Sequence, residues 1–231
     1  MQGSRKAPTI SECVEDFSTM PVDALRERFP LSERFVGKPV FTRIMNKFIA
    51  TLQKLPKTPN KTLLKNFIRF VQDYPSVVRY PQLDNMMSFE SALYTISQGP
   101  DNKPVDYVNM ARAITESTDA IIFDLPKGCI LLSCNFPVID IYSAVENNRS
   151  LQKQKFQKSK EYFVLLWKEE DNIKCEYLKN PEYKLLTRLK ESQPFIKVYS
   201  EYLEENNEAC IEELLPELCK KGYINGYTIS R

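Results

Sequence analysis

Histidine is absent from all 231 residues. That removes the commonest general base and the commonest transition-metal ligand together. It also excludes Ser-His-Asp and Cys-His catalysis. Glycine is nearly as scarce, at six residues, and no glycine-rich phosphate loop can be drawn from those positions. The six cysteines, Cys13, Cys129, Cys134, Cys175, Cys210 and Cys219, contain no C-x-x-C pair. Thiols scattered in this way are expected to be reduced core residues, with Cys129 and Cys134 as small apolar fillers on a strand pair rather than metal ligands. No metal and no cofactor is therefore expected. No apolar run reaches the roughly 18 residues that cross a bilayer. The opening MQGSRKAPTISE lacks the apolar core of a secretory signal. A large charge of one sign is missing too: 32 basic against 30 acidic residues leave +2, which gives no general pull toward nucleic acid or membrane. A cytoplasmic protein without chemistry of its own is the expectation; carboxylate-only or cysteine-only catalysis stays open, though no residue marks it out.

What is present is ordinary globular composition, 42% hydrophobic and 27% charged, in a length that suits one large or two small domains. An amphipathic piece over residues 22–29 ends at Phe29-Pro30. Helical spacing then runs over 38–55 through Phe41, Ile44, Met45, Phe48, Ile49 and Leu52. The loop LPKTPNKT precedes a helix over 63–72, capped by Asn60 or Thr62, with Leu64, Phe67, Ile68 and Val71 as its stripe. A further helix covers 83–97, and SQGPDNKPVD is a turn-rich loop. Residues 1–113 thus read as a helical domain.

Beyond it, residues 120–123, 129–133 and 138–144 are short, apolar or β-branched, and read as strands of a small β connection over 114–160. That connection ends in RSLQKQKFQKSK, residues 149–160, with five basic residues and no acid. A solvated linker is the favoured reading of it, and a docking patch for an acidic partner the sharper one.

Residues 161–231 form the clearest unit. Strands over 162–168 and 173–177 flank Glu169-Glu170-Asp171-Asn172 as a hairpin. Helices over 181–190, 194–204 and 208–221 follow, with Pro181 and Pro194 in their first turns and Gly222 as the final C-cap. Residues 223–229 return as a strand. The fold class is α+β: a helical domain, a small β connection and a C-terminal winged helix.

A winged helix most often reads DNA with its third helix. Here that helix carries Glu208, Glu212, Glu213 and Glu217 and no arginine, so it repels phosphates and lacks the usual reader of guanine. The other use of such a fold is to pair an extended peptide with a free strand of the hairpin, beside the third helix. YFVLLWK places Phe163, Leu165 and Trp167 on one face and Tyr162, Val164 and Leu166 on the other. Periodicity alone favours both faces being covered by the protein's own domains.

Several segments, in order, carry a resemblance. They are FPLSERFVGKPVFTRIMNKFI (29–49), NFIRFVQDYPSVVRYPQLDNMMSFESALY (66–94), NFPVIDIYSAV (135–145, matching a strand of the pattern), YFVLLWK, and ELCKKGYINGYTI (217–229). Together they resemble the HvfC/BufC-type family, which often carries a DNA-binding label. Such proteins are partners of multinuclear non-haem iron-dependent oxidases that modify ribosomally made peptides, a role similar to that of MbnC. The chain departs from the pattern at Pro126-Lys127, where a His-Pro is common. The resemblance implies that the winged helix binds the leader of the substrate peptide and that the helical domain docks the oxidase, which holds the iron. On it, the candidate peptide-binding residues are Tyr162, Val164, Leu166, Ile173, Cys175, Tyr177, Ile211, Glu212 and Leu215, and the candidate partner-binding residues are Phe35, Phe41 and Tyr80. A winged-helix transcription regulator is the alternative.

Overall fold

The computed structural model describes residues 26–52, 60–102, 108–110, 112, 120–149, 161–205 and 211–229. They are of mixed class, helices with small antiparallel sheets. The chain forms two compact units, one of residues 1–91 and 141–153, the other of 92–140 and 154–231. This division differs from the expected one. The first boundary falls at residue 91 rather than 113, and the segment read as a β connection is divided between the two units. Its strands belong to the second unit because they find their pairing partners there.

The first unit is built on α1 (Pro30–Val36), α2 (Lys38–Leu52), α3 (Asn60–Asp73), a 3-10 turn (Pro75–Arg79) and the larger part of α4 (Leu83–Ser97). Gly37, at φ 85, lets α1 stop and α2 start at once. The apolar stripes converge on one core that includes Phe29, Phe41, Phe48 and Phe67, packed mostly edge-on or tilted. Within it lies Glu90, only 4% exposed. Its carboxylate accepts the backbone N–H groups of Leu31 (2.7 Å) and Ser32 (2.9 Å) and the Ser32 hydroxyl. It thereby caps the start of α1, where Pro30 supplies no donor and Phe29 no capping side chain. Burial pushes the Glu90 carboxyl up from its ordinary range, while those three bonds pull it down.

The second unit holds β1 (Ile121–Asp124), β2 (Ile130–Cys134), β3 (Tyr162–Glu169), β4 (Asn172–Leu178), three helices and β5 (Gly226–Ile229). Between β2 and β3 the chain enters α5 (Val138–Glu146), of which residues 141–146 belong to the first unit. The strand expected over 138–144 is thus a helix. Pro137 precedes its first residue, and Val138, Ile141, Ala144 and Val145 are buried at helical spacing. The β-branched residues that suggested a strand are consistent with either period when the run is this short.

Strands β2, β3 and β4 make one antiparallel sheet in that order, and β1 pairs with β5 in another. Glu170 (φ 47) and Asp171 (φ 65) form a two-residue loop closed by the Glu169–Asn172 pair, the left-handed turn that matches strand twist. The three helices follow: α6 (Asn180–Leu189), α7 (Phe195–Glu205) and α8 (Ile211–Lys220). Phe163, Leu165, Trp167 and Leu178 on one sheet face join Leu185, Leu186, Leu189, Val198, Tyr202, Ile211, Leu215 and Leu218 in a single core. The start expected for the third helix at Glu208 lies outside the described residues.

Asn102 ties this unit together. It is buried, and its amide donates to the carbonyls of Lys127 (3.2 Å) and Lys168 (2.9 Å). Its carbonyl accepts from Lys127 N–H (2.6 Å) and from the Asn225 amide (3.1 Å). Both amide donors and both lone pairs are used.

Candidate functional site

The site follows from hairpin geometry. A two-residue loop makes its flanking pair, Glu169 and Asn172, exchange both backbone bonds. Alternation then turns the N–H and C=O groups of Asn172, Lys174 and Glu176 toward β3 and those of Ile173, Cys175 and Tyr177 away from it. Strand β4 is at the edge of its sheet, and among the described residues nothing pairs with its outer side. Three sequence-derived candidates therefore present a row of backbone donors and acceptors.

Their side chains share a face with those of Tyr162, Val164 and Leu166, through the pairs Val164–Tyr177, Leu166–Cys175 and Lys168–Ile173. Val164 and Leu166 are fully buried, so they offer no surface. Tyr162, Ile173 and Cys175 are partly exposed, and Tyr177 is 38% exposed. Tyr162 and Tyr177 lie ring against ring at 5.9 Å. The Tyr177 hydroxyl is engaged at the start of α5, accepting from Ile139 N–H (3.1 Å) and donating to the Asp140 carboxylate (3.0 Å). Burial pushes that phenol well above its ordinary range. Burial likewise raises the Cys175 thiol, which keeps it protonated and unreactive at neutral pH.

On α8, Ile211 and Leu215 are buried in the core, so they position the helix rather than face a ligand. Glu212, Glu213 and Glu217 are exposed. Glu212 accepts the Tyr199 hydroxyl from α7. Pro216 sits inside α8, where it removes one backbone donor, and sequence reading placed no break there. On the opposite sheet face, Lys174 and Glu176 flank the edge; the Tyr223 hydroxyl donates to Glu176 and its ring meets Trp167 at 5.5 Å. Sequence reasoning missed this Glu176–Tyr223 link, since only the pairing register brings positions so distant together.

Of the partner-binding candidates, Phe41 is corrected: it is wholly buried among Phe29 and Phe67. A helical residue on the inner stripe of α2 has no surface to give. Phe35 and Tyr80 are partly exposed and meet edge-on at 6.1 Å.

Among the described residues, no group of three or more His, Cys, Asp or Glu side chains is placed to hold a metal. None of the described helices is long and apolar enough to cross a membrane. No protein-family model matches the chain, and no curated protein matches it in sequence.

Proposed function

We propose that this chain is a non-catalytic, cytoplasmic peptide-binding partner. In this reading it takes the leader of a ribosomally made substrate peptide as an added strand on β4 and presents it to a multinuclear non-haem iron-dependent oxidase. The observation that carries it is the outer side of β4, where the backbone groups of Ile173, Cys175 and Tyr177 face away from the sheet and lack a pairing strand among the described residues. A three-stranded sheet followed by three helices and a closing strand supports the winged-helix reading. The oxidase docks on the helical domain, where the exposed parts of Phe35 and Tyr80 supply aromatic contact. The resemblance in residues 29–49 and 66–94 points to the same role.

DNA regulation is the weaker reading, because the exposed carboxylates of Glu212, Glu213 and Glu217 lie on the helix that would enter the groove. Co-expression with an oxidase encoded beside this chain should give a stable complex that modifies its peptide, whereas the oxidase alone should not. Equal modification without this chain would overturn the reading. A duplex footprint at about 10 nM protein would favour the regulator instead.

A further inference from the structure

Trp167 is the only tryptophan in the chain. It is 3% exposed, and its indole N–H has no hydrogen-bond acceptor among the described residues. A buried donor left unpaired is costly and uncommon, and calls for an explanation. Its neighbours suggest one. Trp167 is the cross-strand partner of Lys174, so the two side chains share the helix-side face of the sheet, at the edge strand. The Lys174 side chain is about half exposed, and its ammonium lies 4.0 Å from the Glu169 carboxylate. The ring of Tyr223 packs against Trp167, and Lys221 lies 5.4 Å over that ring. Lys221 is already paired with Glu182 at 2.7 Å, and the Tyr223 hydroxyl donates to Glu176. That leaves the Trp167 N–H without an acceptor and the Lys174 ammonium with its 4.0 Å contact to Glu169 among the described residues. Both lie at the far end of α8 from Glu212 and Glu213.

We infer that the strand received by β4 carries an acidic residue opposite Lys174, whose carboxylate pairs with the Lys174 ammonium and accepts the Trp167 indole N–H. The inference rests on the edge-pairing reading above and adds to it the chemistry that sets register. On the same face of the incoming strand, neighbours at alternate positions follow the pleat. A basic residue beyond the start of α8 would suit Glu212 and Glu213, so an acidic and a basic position together fix the direction of the strand.

The lone tryptophan makes this measurable on the whole chain. In a nitrogen-15 correlation spectrum it contributes one indole signal. The probes are three end-blocked nine-residue peptides of alternating Thr and Val, with Glu, Gln or Lys at the central position. The Glu peptide is expected to shift the indole signal and to bind at least roughly tenfold more tightly than the Gln peptide, the size of a hydrogen bond to a charged group. The Lys peptide should bind worst, and Lys174→Ala should abolish the preference for Glu. Shifts at the amides of Ile173, Cys175 and Tyr177 with all three peptides alike, and a stationary indole signal, would overturn the acidic register while leaving edge pairing intact. No shift at those amides with any peptide would overturn both.

Discussion

The hydroxyl of Tyr177 donates to the carboxylate of Asp140 at 3.0 Å while accepting the N–H of Ile139 at 3.1 Å. One side chain of the edge strand thus supplies a cap to the open start of α5, whose first backbone donors have no partner within the helix. Tyr177→Phe keeps the ring and its contact with Tyr162 but strips these bonds and the longer one accepted from Asp140 N–H (3.4 Å). A loss of about 1 kcal/mol is expected, modest because the site is partly open to water. Denaturant unfolding should show a lower midpoint at unchanged slope. No change in midpoint would mean that water replaces the hydroxyl without cost.

Asn102→Ala is expected to be far more damaging. It takes the side-chain donor from the part-buried carbonyls of Lys127 and Lys168 and strands the Lys127 N–H. A loss of about 2 kcal/mol follows from several part-buried groups losing their partners at once. Asn102→Asp should rescue little, since a carboxylate keeps the acceptor but faces the carbonyls of Lys127 and Lys168 without donors. Thermal unfolding of the two variants checks this; a near-native Asp variant would contradict it.

Glu90 gives a pH signature. Its folded-state carboxyl is raised above the ordinary 4.5 by burial, the largest of its influences. A raised carboxyl binds its proton more tightly in the folded state, so its contribution to stability is fully present below about pH 4.5 and fades as pH rises through the folded value. The difference in stability between the native chain and Glu90→Gln should therefore be more favourable to the native chain at pH 4 than at pH 7. Urea unfolding at both values measures it. The opposite slope would mean that the three donors from Leu31 and Ser32 outweigh burial.

The β3–β4 hairpin was legible because the short apolar run YFVLLWK and four polar residues at 169–172 both act locally. The α4 span was legible for the same reason, its stripe repeating over four turns. What escaped is non-local. Nothing near Ile121 says that it pairs with Ile229, and nothing in a turn-rich loop marks Asn102 as a buried junction. The edge itself was half legible. Ile173, Cys175 and Tyr177 could be named from the hairpin, but the burial of Val164 and Leu166 depends on what covers their face, which strand periodicity does not encode. The α5 segment failed because β-branched residues in so short a run fit two periods, and only tertiary packing decides between them.

Reversing charge at Glu212 and Glu213 to Lys should weaken binding of a leader that carries Lys or Arg near this end of α8. The loss should be larger at low salt than at high salt, as expected of exposed charges. The fold should survive with a loss of about 1 kcal/mol, reflecting the Tyr199–Glu212 bond. Titration calorimetry at two salt concentrations checks it. Unchanged affinity would move the peptide elsewhere, with the basic stretch over 149–160 the first place to look.

The most direct test is amide hydrogen exchange on the full chain, with and without the nine-residue Thr/Val peptide carrying a central Glu. In the free chain, Lys174 and Glu176 should already exchange slowly, because their N–H groups face β3, while Ile173, Cys175 and Tyr177 exchange faster. Peptide binding should slow those three outward amides selectively. Protection that leaves Ile173, Cys175 and Tyr177 unchanged and appears only in another element would contradict edge pairing on β4.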